Sequence, residues 1–147
     1  MKRASMALLA LVWMAGGSRA ADLADVRAEP NLEKRARLAL DASDAALTDA
    51  RADYQRGEDD RVAADAAKIA DSADLALLSL DQTGKDPRKN FRWFKFAEVR
   101  TRDLLRRLDS FERDMSFADR PVIEKAKAEV QQVHDKLLRG LMEGKPK

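Results

Sequence analysis

TGKDPRKNFRWFKFAEVRTRDLLRRLDSFERDM, residues 83–115, decides the fold. Thr83 and Gly84 stop one helix, Lys85-Asp86-Pro87 make a connection, and a new helical pattern starts near Asn90. Phe94, Ala97, Thr101, Leu104, Leu108, Phe111 and Met115 recur at alternating spacings of three and four. That spacing lines them along one stripe of a helix, which is what a bundle seam requires. Phe91 and Leu105 widen the stripe, whereas Trp93, Phe96 and Val99 fall on another face, so the first two turns are apolar nearly all round. Such a segment either touches two neighbouring helices or offers aromatic surface to a partner. Core packing is the plainer reading, because aromatics dominate small cores.

Working outward, three further helical patterns of similar length flank this one. Asn31 is placed to cap a first helix reaching about Arg56, with Leu32, Ala36, Ala39, Leu40, Ser43, Ala46, Leu47, Ala50 and Tyr54 on its stripe. Gly57 suits the left-handed position that ends it, and Glu58-Asp59-Asp60 set negative charge at the start of the next helix. That second helix runs to about Gln82 on Val62, Ala66, Ile69, Ala73, Ala76, Leu77 and Leu80, while Leu75 and Leu78 lie off the seam and require another partner. The turn at 54–58 resembles the loop of a tetratricopeptide repeat over about a dozen residues. The longer helices around it and the lack of a second copy make it a generic helical hairpin. After Ser116-Phe117-Ala118, Asp119 is placed as the cap of a fourth helix with Pro121 in its first turn. Ile123, Ala126, Val130, Val133, Leu137 and Leu141 form its seam, and Gly140 and Gly144 are expected to loosen its end.

The first twenty residues read as a secretory signal peptide. Lys2 and Arg3 open it, Ala4 to Ala15 form a short apolar run, and Gly16-Gly17-Ser18-Arg19-Ala20 supply small residues before a cut. The expected layout is a signal at 1–20, a mobile lead-in at 21–30, one helical domain at 31–143 and a tail at 144–147. Export places the mature chain in the periplasm or outside the cell. Loss of Lys2, Arg3 and Arg19 leaves 25 basic against 26 acidic residues, so the basic character of the whole chain does not argue for nucleic acid. The two halves differ in sign: residues 21–84 hold 15 acidic against 8 basic groups, and residues 85–147 hold 17 basic against 11 acidic. Helices of opposite sign lying side by side would account for this, as would a partner with an anionic surface. Cysteine is absent, which excludes disulfides and thiolate sites.

Few residues suggest chemistry. His134, the only histidine, lacks the i+3 or i+4 companion that puts two metal ligands on one helical face, so a histidine hydrogen-bonded to a neighbour is expected. Asp41 with Asp44, Asp49 with Asp53 and Asp71 with Asp74 pair at helical spacing, a pattern common on solvated faces. Gly84-Lys85 has no glycine-rich run before it and so is no phosphate loop. No catalytic residue, cofactor or metal ligand is expected. Arg88, Lys89, Arg92, Trp93, Lys95 and Phe96 remain as candidate surface-binding residues, basic and aromatic side chains interleaved.

The reading is therefore an all-α protein, an up-down-up-down four-helix bundle or, failing that, two long antiparallel helical hairpins. Its expected role is an exported, non-catalytic structural or protein-interaction module. The alternative is a peripheral binder of an anionic envelope surface, lipid or polymer, through residues 85–107.

Overall fold

A computed structural model describes residues 22–145; the expected signal peptide and the final two residues lie outside them. The elements are α1 (Leu23–Ala28), α2 (Leu32–Gln55), α3 (Asp59–Gln82), α4 (Phe91–Asp114) and α5 (Pro121–Glu143). The four long helices have the expected bounds to within a residue or two. The punctuation works as expected at four of five places. Asn31 Oδ1 accepts a 2.9 Å hydrogen bond from Lys34 N, Gly57 and Gly84 adopt left-handed backbone after α2 and α3, and Pro121 opens α5. Asp119 does not cap α5. Its carboxylate instead accepts from Tyr54 Oη at 3.0 Å and from Ser116 Oγ, tying the α4–α5 turn to the end of α2.

The chain runs up, down, up, down, and the bundle is built by stacking two antiparallel hairpins. In the first, Arg35 meets Gln82 and Ser43 meets Ile69. In the second, Thr101 meets His134 and Asp109 meets Lys127. Stacking sets α2 beside α4 in parallel, since Asp41 and Asp44 meet Arg100 while Arg51 further along meets Asp114. It also sets α3 beside α5. The connections explain this order. Three residues, 56–58, join neighbours α2 and α3, whereas eight, 83–90, are needed to carry the chain across the bundle end from α3 to α4.

Alanine makes the α2–α3 contact close. Ala36, Ala39, Ala46 and Ala50 on one side and Ala66, Ala73 and Ala76 on the other are buried. The approach lets Ser43 Oγ donate a 2.8 Å hydrogen bond to the Ile69 carbonyl across the seam. Bulkier side chains form the rest of the core: Leu47, Ile69, Leu80, Phe94, Leu104, Leu108, Phe111, Ile123, Val130, Val133 and Leu137.

Two expectations need correction. The lead-in is not loose: Asp22 caps the short helix α1, which packs on α2 and α3 and buries Val26 to 2 % exposure. Off-seam Leu75, which required a second partner, is buried in the core cluster. Leu78 finds no such cover and is exposed. At the other end, Gly140 and Gly144 do not loosen α5; they seat the crossing connection. A Cβ at Gly140 would lie 3.1 Å from Pro87 Cγ, and one at Gly144 would lie 3.0 Å from Arg88 Cδ. Pro87 is accordingly buried.

Candidate functional site

The stretch that interleaves basic and aromatic residues separates into three environments once it is wound into α4. Phe94 enters the core at 3 % exposure, whereas Phe91, three residues earlier, stands 54 % exposed. Trp93 and Phe96 are half-buried against the core and against each other, edge to face with centroids 5.9 Å apart. Arg92 lies 5.4 Å over the Trp93 ring and Arg100 lies 5.4 Å over Phe96. These contacts hold the two rings where they are, because a guanidinium is attracted to the negative face of an aromatic ring.

The positive charge separates in the same way. Arg100 reaches both Asp41 and Asp44 on α2, and Arg107 reaches Asp44 and Thr48. Lys85 binds Glu33 at 2.5 Å. Burial works against the Arg100 charge, but hydrogen bonds to Asp44 and Asp41 outweigh it and hold the guanidinium above its ordinary pKa. The acidic first half of the chain is thus the neighbour of much of the basic second half. Cross-helix pairing also displaces several pairs that spacing along one helix suggests. Glu33 goes to Lys85 and not Arg37, Arg107 to Asp44 and not Asp103, and Asp109 to Lys127 and not Arg113. Of the six candidate residues, Lys95 is committed to Glu98 at 2.6 Å, and Trp93 and Phe96 are half-buried. Arg88, Lys89 and Arg92 are exposed, and no ion pair is recorded for them among the described residues.

Beneath Lys95 lies a polar cluster that spacing alone did not reveal. Glu98 is only 2 % exposed. Burial pushes its carboxyl up, yet the Lys95 hydrogen bond, helped by Arg102 and His134, prevails and holds it below the usual range. His134 Nε2 stands 4.0 Å from Glu98, and its Nδ1 is 3.2 Å from Thr101 Oγ1. The lone histidine therefore has the hydrogen-bonded neighbour expected of it, in a contact that joins α4 to α5. The acidic pairs divide between ion pairs and solvent, and buried Asp53 also adjoins Asp65. Asp41 and Asp44 serve Arg100, Asp53 serves Arg56, and Asp71 and Asp74 are exposed.

Two apolar residues join the site unannounced. Leu138 and Met142 follow His134 by one and two turns on the same face of α5, and Met142 is 71 % exposed. Phe91 precedes Glu98 by two turns on the matching face of α4. Since Thr101 and His134 fix the antiparallel register, Phe91 and Met142 lie about 15 and 12 Å along their helices from that contact, at one end of the hairpin. The available signal was that Leu138 and Met142 fall outside the α5 seam. Among the described residues no helix is long and apolar enough to cross a membrane. No family model, curated protein or solved structure matches the chain.

Proposed function

We propose that the chain is an exported, non-catalytic helical module that binds a protein partner at the end of the α4–α5 hairpin. The observation that carries this reading is the exposed apolar group of Phe91, Leu138 and Met142 beside Arg88, Lys89 and Arg92, for which no ion pair is recorded among the described residues. An apolar centre with a polar, charged rim is the usual composition of a protein interface, and the rim suits an acidic partner.

The second reading, a peripheral binder of an anionic envelope surface, is favoured by the same three cations. Magnitudes weigh against it. Each cation near an anionic lipid surface contributes about 1 kcal/mol, so three contribute about 3 kcal/mol. Within residues 85–107, the segment of this reading, half-exposed Phe91 adds about 1 kcal/mol of burial. That sum corresponds to millimolar binding or weaker.

A photo-crosslinking residue at position 91, with a control at exposed Asp71 on α3, separates the readings in the envelope fraction of producing cells. The expected result is a discrete protein adduct from position 91 alone, lost when Met142→Asp is added. Emission from Trp93, the only tryptophan after the expected cut, then stays unchanged by anionic vesicles. No protein adduct, with a salt-reversible blue shift of Trp93 on vesicles, would replace the first reading with the second.

A further inference from the structure

A cleft of about 670 Å³ opens between the end of α3, the crossing connection and the last turns of α5. This is within the size range of pockets that hold small organic ligands. Its floor is apolar: Leu77, Pro87, Phe94 and Leu137. Gly140 and Gly144 shape it, since the absence of side chains there lets Pro87 and Arg88 lie against α5 and close one wall.

The rim carries Lys85, Lys136, Arg139 and Lys145 against Asp81 and Glu143. Lys85 is already bound to Glu33, and Lys145 Nζ donates to the Gly84 carbonyl at 3.3 Å without meeting a carboxylate. Among the described residues no ion pair is recorded for Lys136, Arg139 or Lys145. Burial raises the Asp81 carboxyl above its usual range even though Lys136 pulls it down. The cleft thus sets an apolar floor beneath a rim where cations outnumber acids. An anion that also carries apolar bulk satisfies both features, whereas a neutral lipid leaves the cations unanswered and a small inorganic anion leaves the floor wet.

We infer that this cleft binds a single-chain carboxylate amphiphile, its acyl chain along Leu77, Pro87 and Leu137 and its carboxylate between Arg139 and Lys136. Arginine can grip a carboxylate through two parallel N–H bonds. The helical part of the rim, Lys136 to Glu143, spans about 10 Å, within the reach of a medium-length acyl chain. The cleft shares Arg88 and one end of the α4–α5 hairpin with the proposed docking group, but the inference does not rest on that reading.

Isothermal titration of the full mature chain tests it, with dodecanoate, hexanoate and dodecyltrimethylammonium each kept below its micellar concentration. Dodecanoate is expected to bind at one site per chain, at least tenfold more tightly than either of the others. The double variant Lys136→Gln/Arg139→Gln, which alters only exposed side chains, should weaken dodecanoate at least tenfold with its thermal melt unchanged. Several results would overturn the inference: no saturable binding, equal affinity for the cationic amphiphile, or wild-type affinity in the double variant. The wild-type comparison of the two amphiphiles decides the matter even if the variant melts early.

Discussion

Phe94→Ala empties a buried core site near one end of the bundle and is expected to lower stability by about 3–5 kcal/mol. Phe91→Ala removes a ring already half in water and should stay within about 1 kcal/mol. Urea unfolding of the two variants checks the contrast, and equal losses would mean that Phe91 is a core residue. A titrating pair gives the second prediction at this scale. Burial, then the neighbouring Asp53 and Asp49 carboxylates, push Asp65 from 3.8 up to about 7. Between those values the folded chain keeps a proton that the unfolded chain has released, so stability falls as pH rises through that window. Asp65→Asn should flatten this slope and stabilise the protein at pH 8 by about 1 kcal/mol, a figure reduced from the full shift because the group is only partly buried. Thermal melts across pH 4–8 report it, and parallel slopes in the two proteins would contradict it. At this scale the sequence was least informative. Glu98 has the spacing of a surface partner for Arg102, and only the packing of α5 across it shows that it is buried.

Most of the helices were legible as elements, because each has a seam at helical spacing and a stop or start residue with a backbone reason. α1 was not legible, since six residues with two apolar positions have no periodicity to read. What fixes α1 is burial of Val26 where α1 packs on α2 and on α3, the latter far away in the chain. Val26→Ala should therefore cost about 2 kcal/mol, the loss expected from shortening a buried aliphatic side chain, and a change below about 0.5 kcal/mol would mean that α1 is loosely held. The crossing connection was legible as a break but not as a packed element. Its seat depends on Gly140, where glycine in a helix otherwise costs about 1 kcal/mol relative to alanine. Gly140→Leu is expected to displace Pro87 and destabilise the fold despite leucine's better helix propensity. A higher melting temperature in that variant would show that the connection does not need the seat.

At the scale of the whole molecule, part of the basic half is answered within the fold. α4 lies parallel to α2, and Arg100 and Arg107 reach across to Asp41 and Asp44. The sequence offered two explanations for the asymmetry, an internal one and an external one, and could not rank them because register between distant helices is not written in spacing. The same uncertainty left the six candidate residues undivided. Three of them face inward or are paired, and Arg88, Lys89 and Arg92 remain. The most direct test is a double-mutant cycle on Arg100→Ala and Asp44→Ala, followed by urea unfolding at low salt. Both side chains are about three-quarters shielded, so a coupling energy of about 1 kcal/mol is expected, above the median of exposed pairs. A coupling near zero would mean that the charges of α4 do not hold the two hairpins together and are free for a partner.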